Sequence, residues 1–252
     1  MDQTLNEACR TLMEETVAEG FAAGMSLLVL KDGEEILSCR AGSRDRENNL
    51  PMERGTIFRL YSMSKPVTGA AAMILMERGK VDLLDPVSKY LPGFAGQTVL
   101  ENGKEVPAAR EVTVHDLLSM TSGLPYGDTG THASDRARVV FDELGRRLYG
   151  ENPMTLNALA NRLGSCPLEF HPGSRWMYGT SADVLGAVVE AVSGIPFEEF
   201  LEREIFAPLG MEDTGFYVPE EKQNRLAKVY RSENGVFTEV KTNHLGIRYD
   251  MK

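Results

Sequence analysis

Leu5, Ala8, Cys9, Leu12 and Val17 recur at the spacing of a single helix face, so the pattern predicts an amphipathic helix over residues 3–19. The period then changes. Residues 25–31 and 34–40 are rich in aliphatic residues and flank Asp32-Gly33, a two-residue turn signal that predicts a β-hairpin. A β-branched and aromatic run at 57–61 follows, read as a short strand. It gives way to Pro66-Val67-Thr68-Gly69-Ala70-Ala71-Ala72-Met73-Ile74-Leu75-Met76, whose alanine, methionine and leucine content predicts a buried helix with Pro66 in its first turn. Residues 81–92 read as irregular with short helical turns, and 112–120 as a short helix stopped near Ser122-Gly123-Leu124-Pro125. A helix around 134–147 sits in an otherwise loop-like stretch, 126–152. Two more run from Ser181 to Ser193, closed by Gly194, and from Phe197 to about Ala207, stopped by Pro208 and Gly210. No repeat or linker separates independent domains.

Composition narrows the function classes. A chain of 252 residues with 42% hydrophobic content can bury a substantial core, as one large domain or two interleaved ones. Its 37 acidic and 27 basic residues give a net charge of −10, which argues against nucleic acid or an anionic membrane as partner. Met1-Asp2-Gln3-Thr4 lacks a basic n-region, and no apolar run approaches the roughly 18 residues of a membrane span, so the expected location is cytoplasmic. Cys9, Cys39 and Cys166 are far apart with no C-x-x-C pair, and read as buried reduced thiols. His115, His132, His171 and His244 show no paired ligand spacing, so no metal is expected.

The chemistry concentrates at Ser62-Met63-Ser64-Lys65. A serine hydroxyl is a poor nucleophile until a base takes its proton, and a lysine three residues along a helix lies roughly 5–6 Å away on the same face. Of the 14 serines only Ser62 has lysine at that offset, although a solvated helix face could show the same pair. Ser62 also precedes a helix start, beside backbone N–H groups and the positive end of the dipole, which suits an acyl oxyanion. A lysine alone is normally protonated, so a base must come from elsewhere. Tyr178, between the turn His171-Pro172-Gly173 and the helix at 181, is a candidate whose pKa an adjacent ammonium would lower; spacing alone equally allows a core or surface tyrosine. No Gly-x-Ser-x-Gly elbow or phosphate loop is present.

Ser-x-x-Lys is a signature of serine β-lactamases and penicillin-binding proteins. The chain resembles that superfamily in its class C-like branch, which includes cytoplasmic esterases and D-amino-acid peptidases. The resemblance rests on Phe58-Arg59-Leu60-Tyr61-Ser62-Met63-Ser64-Lys65-Pro66, Gly79-Lys80-Val81-Asp82-Leu83-Leu84-Asp85-Pro86-Val87-Ser88-Lys89-Tyr90-Leu91-Pro92 and Leu117-Leu118-Ser119-Met120-Thr121-Ser122-Gly123-Leu124. It continues in Pro172-Gly173-Ser174-Arg175-Trp176-Met177-Tyr178, Pro208-Leu209-Gly210-Met211 and Asp213-Thr214-Gly215-Phe216, in order over nearly the whole chain.

The resemblance implies an α/β (α+β) β-lactamase-like fold, an antiparallel sheet flanked by helices plus a helical region. Residues 1–65 would form the N-terminal part of the sheet region with the nucleophile, and 66–252 a mostly helical region. It also implies that Ser62 is the acylated nucleophile, Lys65 its hydrogen-bonded activator and Tyr178 the general base, acting without metal or organic cofactor on a small ester, amide or β-lactam. Two departures stand out. The family's Tyr-x-Asn is here Tyr178-Gly179-Thr180, which places Thr180 at the substrate-binding position; its hydroxyl is shorter than an amide, and simple esters gain over β-lactams. Family members also continue into a long helix, a Lys- or His-x-Gly strand and closing sheet strands. Lys241-Thr242-Asn243, His244-Leu245-Gly246 and His171-Pro172-Gly173 match that third motif only formally and read as loops. The C-terminal sheet strands are therefore expected to be missing, with a complementing C-terminal fragment or self-association supplying the hairpin's partners and the second oxyanion donor. A non-catalytic binding or partner protein, or an inactive fragment, is the alternative reading.

Overall fold

The computed structural model describes residues 3–101, 103–148 and 150–240. The chain divides into two compact units, Met1–Leu60 together with Tyr217–Lys252, and Tyr61–Phe216. Lys241, the His244 motif and Tyr249 lie outside the described residues.

In the first unit, helix α1 (Gln3–Ala18) lies on the hairpin of β1 (Gly24–Lys31) and β2 (Glu34–Asp45), to which the short β3 (Leu50–Pro51) adds. The hairpin is antiparallel, with Lys31 opposite Glu34, and its turn is the expected Asp32-Gly33. Both turn residues have positive φ (53° and 83°), the conformation whose twist matches that of the strands. Alternation decides the two faces. Leu37, Cys39 and Ala41 are buried against Met13 of α1, with Cys9, Val17, Met25, Leu27 and Val29 packed around them. Leu28 and Leu30 point to the other face, 52% and 59% exposed.

Residues 217–240 return to this unit. Ile57 donates its N–H to Arg225 at 2.9 Å and accepts from Ala227 at 2.8 Å, while Arg59 Nη1 reaches the Ala227 carbonyl at 2.7 Å. Lys228 contacts Asp45 and Glu47 at 3.1 Å each and Glu239 at 3.5 Å, and these carboxylates raise its pKa. Strands β6 (Tyr230–Glu233) and β7 (Val236–Glu239) form a second hairpin that the hydrophobic pattern did not predict.

The second unit is built on α2 (Lys65–Glu77) and α6 (Ser181–Ser193), which pack together. Thr68, Ala71, Ala72 and Leu75 form the buried stripe of α2; in α6 every position from Val184 to Val189 is enclosed. Around them stand the hairpin β4–β5 (Thr98–Glu101, Lys104–Pro107), α3 (Val114–Leu118), α4 (His132–Arg147) and α5 (Leu156–Gly164). Helix α6 ends at Gly194 in the left-handed region (φ 74°), as the sequence predicts. The helix expected over 197–207 divides: α7 (Phe197–Leu201) passes into a wider π turn, Glu202–Phe206, which buries the consecutive Ile205 and Phe206. Cys39 and Cys166 are buried free thiols, and Cys9 is half-buried rather than buried because it lies at the margin of the hairpin core. Fold class follows the expectation, antiparallel strands with flanking helices plus a helical region. Among the described residues no helix is long and apolar enough to cross a membrane.

Candidate active site

Ser62 lies in a single 3-10 turn, Tyr61–Ser64, that runs directly into α2. Tyr61 has φ 48°, a left-handed conformation that costs a bulky residue about 1–2 kcal/mol. This reversal turns the extended chain into the helix and leaves the Ser62 side chain exposed at the helix N-terminus. Lys65, the first residue of α2, is one turn on, and its Nζ donates to Ser62 Oγ at 3.1 Å.

Tyr178 arrives from a distant segment that is tied down at several points. Gly173 N–H donates to the Thr121 carbonyl at 2.8 Å, Met177 N–H to that of Met120 at 3.0 Å, and Thr180 N–H to that of Leu124 at 3.3 Å. The Ser122 and Ser181 hydroxyls are bonded to each other at 2.7 Å. The two segments approach so closely at Gly179 that a Cβ there would stand 1.9 Å from the Leu124 carbonyl oxygen, so only glycine fits. Asp116 steadies the other side: 1% exposed, it accepts from Arg110, from Thr113 N–H and Oγ1, and from Thr121 Oγ1.

The result is a closed triangle. Ser62 Oγ and Tyr178 Oη are 2.5 Å apart, and Lys65 Nζ donates to Tyr178 Oη at 2.8 Å. The same ammonium lies 4.7 Å from the centre of the Tyr178 ring. The hydrogen bond from Lys65 is the main cause of a lowered Tyr178 pKa, followed by that with Ser62; partial burial works against both. A phenolate that accepts from an ammonium and contacts a serine hydroxyl can remove the serine's proton.

Thr180 stands differently from its neighbour. It is 0% exposed, and its hydroxyl is enclosed without a hydrogen-bond partner among the described residues. His171 is held in a loop, with Nδ1 accepting from Ala109 N–H at 3.0 Å and Nε2 2.8 Å from Glu101. Two site residues escaped the sequence reading. Tyr126 stacks obliquely on Tyr178, ring centres 5.9 Å apart, and Asp183 in the first turn of α6 acts electrostatically on Lys65, Tyr126 and Tyr178. The signals were an aromatic just after the Gly123-Leu124-Pro125 stop and an acid in a helix's first turn. No group of three or more His, Cys, Asp or Glu residues among those described is arranged to hold a metal.

A Ser-x-x-Lys at the start of α2, closed into a triangle by a tyrosine hydroxyl, in a chain that also carries an antiparallel hairpin, is the arrangement of a β-lactamase-like protein. The chain belongs to the Beta-lactamase family, whose model matches residues 9–246. It is 36% identical to the esterase EstB of Burkholderia gladioli over 210 residues, covering 83% of this chain and 51% of EstB. Among solved structures, EstCE1, a hydrolase with promiscuous acyltransferase activity, matches at TM-score 0.81 and 32% identity over 95% of this chain and 60% of that one. Simvastatin synthase (LovD) of Aspergillus terreus matches at TM-score 0.72 and 28% identity, with the same coverage. The chain thus spans about half the length of the curated relatives it matches.

Proposed function

We propose that the chain carries the acylating centre of a serine hydrolase acting on small esters. The observation that carries this reading is the triangle of Ser62, Lys65 and Tyr178, with every side within hydrogen-bond reach. Tyr178, held as phenolate by the Lys65 ammonium, takes the Ser62 proton while Oγ bonds to the ester carbonyl carbon. The tetrahedral intermediate collapses as Tyr178 passes that proton to the departing alcohol oxygen, leaving an acyl-Ser62 ester. Water then gives a proton to Tyr178, attacks the acyl carbon and releases the carboxylic acid, and Ser62 regains its proton. The helix dipole at the start of α2 favours the transient oxyanion.

Esters are favoured over β-lactams because no amide side chain stands two residues after Tyr178 and the Thr180 hydroxyl is enclosed. Likeness to EstB and EstCE1 supports the same class. The test is covalent labelling of the natural gene product with a fluorophosphonate, followed by peptide mass mapping. The expected adduct is on Ser62 and is absent in Ser62→Ala; labelling of another serine that persists in Ser62→Ala would overturn the assignment.

A further inference from the structure

Tyr126 reaches the site along an aromatic series, its ring 6.3 Å from Phe141 of α4 on one side and 5.9 Å from Tyr178 on the other. Gly127 fastens this segment to α4, because a Cβ there would stand 2.7 Å from Arg138 Cα. The Tyr126 hydroxyl has no hydrogen-bond partner among the described residues. Asp183, in the first turn of α6, is exposed to solvent, and its carboxylate makes no side-chain hydrogen bond or ion pair among the described residues. The two groups rise from one anchored junction beside the triangle: Tyr126 is two residues past Leu124, whose carbonyl accepts from Thr180 N–H at 3.3 Å, and Asp183 is three residues past Thr180.

We propose that Tyr126 and Asp183 form a specificity subsite that reads a hydroxyl group on the alcohol portion of the ester, so that the preferred substrates are monoesters of a diol or polyol. The proposal rests on the hydrolase reading above. An ionised Asp183 only accepts, while the Tyr126 hydroxyl can donate, and a substrate hydroxyl can accept from Tyr126 while donating to Asp183. A cationic substrate group fits less well, because the Lys65 ammonium stands in the same site. The alcohol side is indicated because Tyr126 stacks on Tyr178, the group that returns the proton to the departing oxygen.

Electrostatics support these roles. Burial, reinforced by the Asp183 charge, pushes the Tyr126 pKa up to about 12, so this phenol remains a donor while its neighbour Tyr178 is tuned downward. Desolvation by the surrounding protein raises the Asp183 pKa, and the Lys65 ammonium opposes that rise.

The experiment compares 2-hydroxyethyl butanoate with propyl butanoate, which differ by a hydroxyl in place of a methyl, on the natural gene product. The ratio of their kcat/KM values is divided by the ratio for alkaline hydrolysis, which removes intrinsic reactivity. We expect a corrected preference of about tenfold or more for the hydroxyethyl ester, falling to within about threefold of unity in both Tyr126→Phe and Asp183→Asn. Both variants are nearly isosteric, and circular dichroism melting verifies their folding. A corrected ratio near one in the unsubstituted protein, or one that survives both substitutions, overturns the subsite while leaving the hydrolase reading intact. Failure to turn over either ester, with no label on Ser62, overturns that reading and the subsite with it.

Discussion

The Tyr178 phenol stands between a proton donor it needs and one it serves. Lys65 lowers its pKa, so the phenolate is populated at lower pH than in free tyrosine, and a rate that depends on it rises with pH through that lowered value. Lys65→Ala is therefore expected to move the rising limb of the kcat/KM profile upward toward about 10, and Tyr178→Phe to abolish that limb. Each change should cost about 10²-fold or more in kcat, and the double variant far less than the product of the two, because the groups act as one unit. Multiplicative losses, or an unmoved limb in Lys65→Ala, would contradict a shared unit. Of this triangle the sequence alone showed one side. Ser62 and Lys65 are three residues apart and local geometry joins them; Tyr178 is 116 residues from Ser62, a separation no periodicity spans, so its place before a helix start makes it a candidate and only resemblance joins it to Ser62. Thr180, expected to face substrate, lies enclosed at the start of α6, and nothing in residue type reveals on which side of a helix start a hydroxyl will fall.

Among the elements, α3 matters more than its length suggests. Its capping box, Thr113 with Asp116, fixes the stretch whose Met120 and Thr121 carbonyls receive the Tyr178 segment. Burial would raise the Asp116 pKa, but hydrogen bonds from Arg110, Thr113 and Thr121 outweigh it and hold the carboxyl at about 2. A folded-state pKa below the unfolded value means stability that is complete above about pH 4 and is lost as pH falls toward 2. The contribution is at most about 2 kcal/mol, since Arg110 is half-exposed and partly screened. Asp116→Asn is expected to lower the urea midpoint at pH 7 and to flatten its fall between pH 4 and 2. A midpoint that is unchanged at pH 7 would show that the network stabilises nothing.

The same scale explains what was legible in the fold. Asp32-Gly33 stands between two clear aliphatic runs, which makes it legible as a turn. Asn102-Gly103 and Asn234-Gly235 carry equal turn signals, but the flanking strands are short and polar, as in Tyr230-Arg231-Ser232-Glu233, and alternation disappears. Helix α5 has only nine residues, and its main signal, Thr155 as N-cap, is common in loops too.

For the molecule as a whole, β1 is the edge strand of its sheet among the described residues, and Leu28 and Leu30 enlarge an uncovered apolar face beside that edge. Residues 1–252 produced alone are expected to self-associate with rising concentration, and Leu28→Lys with Leu30→Lys to suppress it. Sedimentation velocity measures both; a monomer at all concentrations would show that the face is covered. Nothing in the hydrophobic pattern foretold that residues 217–240 return beside 1–60, because the pairing of Ile57 with Leu226 joins positions with no shared local signal.

That return sets a timetable for biosynthesis. The N-terminal hairpin leaves the ribosome early, yet Leu226 is added only after residues 61–216, on the order of 10–30 s later at roughly 5–20 residues per second. For that interval Ile57 and the end of β2 at Arg44 lack the backbone partners that Arg225, Ala227 and Lys228 later supply, so holding chaperones have a long window in which to engage them. Slower translation through residues 61–216 is then expected to lower the yield of folded protein, which expression with rare and with common codons in that stretch would measure.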